Sequence, residues 1–280
     1  MPANKPKNSS AGANRVESVD AQVSDALRQR VLHRLSCQQA LHDPVQEPRN
    51  RDQRLPELRR WQMQRLATGF AGFLDDPRSR PAAEFFLSDL YGDRDFSGRD
   101  RDVARILPMM TRILPAQMIA TACEAIALSA LSHAFDLRVA EALSNTLEPK
   151  QAIDARNYAD AYRMAGHARL RREQIALIAR IGNALDAAVH KPALWRLLQM
   201  SRLPARLAGL GALQSFLERG FGAFRVLGDA GDFVGRIVAQ ETEVSRRLFA
   251  GEPDPFAPLP AERAGATQRG KGTQPNSRSR

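Results

Sequence analysis

Apolar residues recur along most of this chain at spacings of three and four, the period of one helix face. Val23, Leu27, Val31 and Leu35 step by four, with Ala26 three after Val23, and predict an amphipathic first helix. Pro44 and Pro48 enforce a linker to Leu55, and Pro56 suits the first turn of a second helix. Leu58, Trp61, Leu66, Phe70 and Phe73 form its apolar face, and Pro77 ends it. A short third helix carries Phe85, Phe86 and Leu90 and closes at Gly92. Arg-Ile-Leu-Pro occurs at 105–108 and again at 112–115. Each proline removes an internal hydrogen bond, so a kink or restart is expected at both. Residues 116–146 read as the longest helix. Pro149 is expected to open the next one, with Ile153, Tyr158 and Tyr162, and Gly166 to break it. Ile175, Ile178, Ile181, Leu185 and Val189 stripe a helix over 168–190. Pro192 and Pro204 start two more, and Gly231 sets off a last helix over 232–249.

No strand-turn-strand pattern interrupts these segments, and β-branched residues are sparse beside Ala, Leu and Arg. The expected fold is all-α, a single bundle of roughly eight to ten helices spanning residues 18–250. Residues 1–17 and 251–280 are rich in Pro, Gly, Ser, Asn, Gln and Arg without apolar periodicity, and are expected to be disordered tails.

Composition excludes several classes outright. With 43% hydrophobic and 26% charged residues over 280 positions, the chain is neither disordered, collagenous nor a disulfide framework. Two cysteines, Cys37 and Cys123, lack any ligand spacing and read as reduced thiols of a cytosolic protein. The N-terminus has no apolar segment of the signal-peptide kind. The most apolar window, 118–135, is interrupted by Thr121, Glu124, Ser129, Ser132 and His133. A spanning helix would bury a carboxylate at its centre, so no membrane partner is expected. The net charge of +10 belongs mostly to residues 21–250, which carry +7 of it. Only five of the 41 basic residues are lysine, an excess of arginine that also fits a GC-rich bacterial genome.

The 116–146 helix concentrates the candidate chemistry. Leu128, Leu131 and Phe135 line one stripe while Ile119, Ile126, Ala130 and Leu137 line another, as in a helix at the middle of a bundle. Glu124 lies seven residues before Leu131, on the same apolar stripe. It is either a buried carboxylate of raised pKa or the partner of an arginine from a neighbouring helix. Ser129, His133 and Asp136 share one azimuth. A mid-helix serine lacks the strained turn and oxyanion hole of acyl transfer, so a polar interhelical stripe is the expected role. His133 in an apolar bundle is also the type of group that ligates haem, the one cofactor considered.

Metal chemistry finds little support. No glutamate is followed three residues later by histidine, and there is no His-Glu-x-x-His. His33 and Cys37 stand four apart with no evident third ligand. Asp89 and Asp93 have a magnesium-type spacing but no second acidic motif faces them. Seven glycines between 209 and 235 match no phosphate loop and suit close helix packing. Six arginines in 49–65 and five in 163–180 raise the prospect of a phosphate-binding face, without a helix-turn-helix or stacking platform to accompany it.

The run Pro81-Ala-Ala-Glu-Phe-Phe-Leu-Ser-Asp89-Leu-Tyr91-Gly92, continuing through Asp95-Phe96 and Arg99-Asp100, resembles a family of uncharacterised bacterial all-helical proteins. The resemblance extends through Tyr158, Tyr162, Arg172-Glu173-Gln174-Ile175 and Gln214-Ser-Phe-Leu-Glu218, and covers most of 55–250. It implies a bacterial single-domain helical protein and carries over no catalytic residue. It marks 85–100, with Asp89, Tyr91, Asp95, Arg99 and Asp100, as a candidate binding surface.

Three functional readings follow. The first is a non-catalytic protein that works through a protein partner or as a homo-oligomer. The second is a bundle, and conceivably an enzyme, that holds a small apolar or haem-like ligand with Glu124, His133, Tyr158 or Tyr162. The third is nucleic-acid binding through the arginine faces.

Overall fold

The structure, a computed structural model, describes residues 10–90, 102–103, 105–106 and 114–258. Eleven α-helices and no strand occur among the described residues, so the all-α expectation holds. Helix α1 (Ser10–His42) extends the Val23–Leu35 stripe in both directions. A 3-10 turn (Pro48–Arg51) then sets α2 (Arg54–Gly69) and α3 (Ala71–Asp75). Helix α4 (Arg80–Phe85) runs into a π-helical turn, Phe86–Leu90. Residues 107–108 of the first Arg-Ile-Leu-Pro and 112–113 of the second lie outside the described residues, and Pro115 stands as the extended N-cap of the helix Ala116–Thr146, the restart expected there.

Helix α5 (Ala116–Thr146), at 31 residues shorter than the 33-residue α1 and so not the longest helix as expected, is the axis of the bundle and packs against α1, α2, α6 (Ala155–Ala165) and α7 (Ala168–Val189). Its several apolar faces have different partners. Ile119, Cys123 and Ile126 join Val31 and Leu35 of α1. Leu137, Val139 and Leu143 join Leu58 of α2 and Tyr158 and Tyr162 of α6. Among the described residues it is also the one helix long and apolar enough to cross a membrane, with a mean hydropathy of 1.4 over 18 residues.

Three further helices, α8 (Pro192–Met200), α9 (Arg202–Leu207) and α10 (Gly211–Leu227), lead to α11 (Gly231–Ala250). A second core gathers Phe70 of the α2–α3 junction with Phe73, Phe85, Phe221, Phe224 and Phe233 from four helices. Two glycines let helices meet there. A Cβ on Gly220 would stand 2.7 Å from Phe85 Cζ, and one on Gly182 would stand 2.7 Å from Val234 Cγ2. Any larger residue would push α4 from α10, or α11 from α7.

Several boundaries differ from the sequence reading: the second helix breaks at Phe70 into α2 and α3, and Pro204 lies inside α9, which starts at Arg202. Pro149 does not open a helix; α6 starts at Ala155, because Asp154 caps it. The Asp154 carboxylate accepts from the backbone N–H groups of Arg156 and Asn157, and the Asn157 side chain accepts from Asp154 N–H. The chain also stays packed beyond Ala250. Arg247 Nη1 donates to Ala257 O at 2.6 Å, and Phe256 meets the Trp61 ring edge-on at 5.7 Å.

Candidate functional site

Four of the buried polar groups, His133, Arg171, Gln174 and Ser245, belong to one cluster around the middle of α5. Arg59 Nη2 lies 2.8 Å from His133 Nδ1. A guanidinium only donates, so Nδ1 accepts and the ring proton sits on Nε2, which donates to Asn50 Oδ1 at 2.8 Å. Asn50 is itself fixed, its Nδ2 donating to Leu41 O and Glu47 O at 2.9 Å each. His42 stacks on His133 with centroids 3.9 Å apart and planes 13° from parallel. Burial, helped by the neighbouring His42 and Arg59, pushes the His133 pKa down to about 3, so the ring is neutral.

One helical turn further along α5, Asp136 accepts from Gln62 Nε2 at 3.2 Å and faces Arg59 Nε at 3.8 Å. Burial pushes its carboxyl above the usual range, while Arg59 and Arg171 pull it back. Arg171 reaches in from α7, with its guanidinium over the rings of Phe135 (3.7 Å) and Tyr162 (4.6 Å). Its Nη1 donates to Gln174 Oε1 at 3.0 Å, and Gln174 Nε2 donates to Ser132 Oγ at 2.7 Å. The Tyr162 hydroxyl pairs with Ser245 of α11 at 2.9 Å, and burial raises its pKa.

This cluster ties seven elements together: α1, the 3-10 turn, α2, α5, α6, α7 and α11. Apart from Arg171 Nη2, which is buried without a hydrogen-bond partner, its members spend most of their hydrogen-bonding capacity on one another, which specifies helix register more readily than it activates a substrate. Both His133 ring nitrogens are engaged, Nδ1 by Arg59 and Nε2 by Asn50. Among the described residues, no three His, Cys, Asp or Glu side chains converge as a metal site.

The remaining predicted residues scatter. Glu124 is not buried: it sits at the α5–α7 seam, paired with Arg180 Nε at 2.9 Å, and Arg180 also reaches Glu173 at 2.7 Å. An arginine one helix away satisfies the carboxylate, the second of the two options its position allowed. Tyr158 stacks on Trp61 with centroids 4.3 Å apart, which is core packing. His33 Nε2 and Cys37 Sγ lie 3.7 Å apart on exposed α1. The Asp89 side chain and all of Tyr91, Asp95, Arg99 and Asp100 lie outside the described residues.

The arginine runs are largely committed. Arg49 pairs with Glu47 and Glu141, Arg54 with Glu57 and two backbone carbonyls, and Arg65 with Glu241. Arg163 pairs with Asp160, and Arg171 is buried.

The outer surface of α8–α10, not singled out in the sequence because nothing local separates an exposed apolar position from a buried one, has a different character. Met200, Leu203 and Leu207 are 78%, 65% and 81% exposed. Beside them a hollow of about 340 Å³ is lined by Val189, His190, Pro192, Trp195, Arg196 and Arg225. Trp195 lies against Phe221 with centroids 5.8 Å apart, and Arg225 covers its other side at 4.7 Å.

A family model described as Domain of unknown function (DUF8198) matches residues 41–255, about three quarters of the chain. The chain belongs to that family. The matched span holds the whole of the His133–Asp136–Arg171 cluster and the α8–α10 surface, and leaves out most of α1. No curated protein and no solved structure matches the chain.

Proposed function

We propose that this DUF8198 protein is a non-catalytic helical scaffold of the bacterial cytosol that works by binding another protein through α8–α10. The observation that carries the reading is the exposure of Met200, Leu203 and Leu207 on two consecutive helices. Five of the eight most exposed large apolar side chains among the described residues fall between 200 and 226. Concentrated apolar exposure marks an interaction surface, whereas scattered single residues do not. The free thiols of Cys37 and Cys123 support the cytosolic location. The internal pairing of Arg49, Arg54, Arg65 and Arg163 favours protein contacts over a phosphate-binding face.

The test compares the wild-type protein with Leu203→Ser/Leu207→Ser, a change at exposed positions that spares the core. Light scattering gives the oligomeric state, and quantitative mass spectrometry gives the proteins retained from the source cell. A partner or self-association present for the wild type and lost in the double variant is the expected result. Identical retained sets with both proteins monomeric would overturn the reading.

A further inference from the structure

The α8–α10 surface is cationic as well as apolar. Residues 191–228 hold six basic side chains against the single acid Glu218. That acid is already occupied, accepting from Arg202 Nε and Gln214 Nε2 at 2.7 Å each. Neither Arg196 nor Arg225 has a carboxylate partner among the described residues. The Arg225 guanidinium carbon sits 4.7 Å from the Trp195 ring centroid, a cation–π contact made through the ring face that offers no hydrogen-bond acceptor to its N–H groups.

Geometry links the hollow to the exposed apolar residues. Pro192, Arg196 and Met200 are spaced by four and share one side of α8. Pro192 and Arg196 line the hollow, Met200 lies beyond it, and Leu203 and Leu207 continue on α9. The surface therefore reads as a pocket rimmed by positive charge, opening onto an apolar track. We propose that it docks an acidic amphipathic segment of the partner protein. One apolar side chain would enter the hollow beside Trp195, and carboxylates would pair with Arg196 and Arg225. This rests on the reading of α8–α10 as a protein-binding surface and names the partner's chemistry.

The two other occupants fit less well. A second copy docking symmetrically would bring two surfaces of net +5 together, which like-charge repulsion opposes. A lipid surface is flat and would leave the hollow unfilled. Trp195, the residue a lipid interface would draw outward, is instead packed on Phe221.

Display selection on the full chain tests the proposal, using random peptides of about 16 residues. Enriched peptides are expected to carry one Leu or aromatic residue flanked by Asp or Glu. Their affinity is expected to fall at least about tenfold in Arg196→Glu/Arg225→Glu, and to weaken as salt rises. Thermal melting of that variant should match wild type, since both arginines are exposed. Neutral or basic enriched peptides, no enrichment, or acidic peptides that bind the variant equally well would overturn the proposal. So would sedimentation of the wild type, but not the variant, with phosphatidylserine vesicles in place of peptide binding. If Leu203→Ser/Leu207→Ser abolishes a natural partner while the arginine reversal does not, the acidic docking fails and the broader protein-binding reading stands.

Discussion

The Arg171 guanidinium lies 3.7 Å from the centroid of the Phe135 ring, buried between α5 and α7. The stacking and the Gln174 bond hold one cation in the middle of an apolar bundle, and Asp136 feels its charge. Replacing Arg171 by Met keeps the stem volume but leaves Gln174 short of a donor and Asp136 short of a counter-charge. Arg171→Met is expected to lose about 3 kcal/mol in urea unfolding. Arg171→Lys should recover little, because an ammonium cannot stack as a plane. Wild-type stability in both variants would show that the cluster is dispensable.

His133 predicts a pH dependence. Its imidazole has an ordinary pKa of 6.5 unfolded and titrates only near about 3 folded. Between those values the unfolded chain holds the extra proton, so stability is full above the upper value and is lost as pH falls towards the lower. The imidazole should remove about 2 kcal/mol between pH 7 and pH 5. Asp136, whose carboxyl is raised by burial, shifts stability the opposite way at acid pH, so the comparison must isolate the ring. His133→Gln can still accept from Arg59 and donate to Asn50, and its denaturation midpoint should vary less with pH over that range. Parallel pH curves for the two proteins would rule the imidazole out as the source.

The α7–α11 contact is set by one pair of positions. Gly182→Ala places a methyl group 2.7 Å from Val234 Cγ2 and should cost about 1–3 kcal/mol. In Gly182→Ala/Val234→Ala the obstruction is gone, and the double variant should be more stable than the sum of the two single losses implies. Strict additivity in thermal melts would mean that the helices simply move apart.

Asp154 anchors the start of α6 through two backbone N–H groups. Asp154→Ala should lower stability by about 1 kcal/mol and Asp154→Ser by less, as read by calorimetry. Equal melts for all three proteins would show the cap to be redundant with the Tyr158 and Tyr162 packing.

Helix existence was legible in the sequence because the 3.6-residue period and the prolines are local signals. The span 116–146 coincides with α5, and 168–190 with α7 to within a residue. The Ser129–His133–Asp136 stripe marked two residues that meet polar partners inside the bundle, yet those partners, Asn50, Arg59 and Arg171, lie 35 to 83 positions away. No local pattern encodes such pairings, which depend on the order in which helices pack. For the same reason the sequence left Glu124 open between burial and an arginine partner: its seven-residue offset from Leu131 fixes a stripe but not the arginine-bearing helix beside it. Leu203 and Leu207 show the converse, an apolar i,i+4 pair that packing leaves outside.

Phe256 lies one residue past the end of the family match, against Trp61 and Tyr158. It works as the key of a clasp, with Arg247 drawing in the backbone at Ala257. Anyone trimming this protein at the family boundary removes the key and uncovers the indole. A cut after residue 258 keeps the clasp shut, so those few positions separate a sealed aromatic column from an open one.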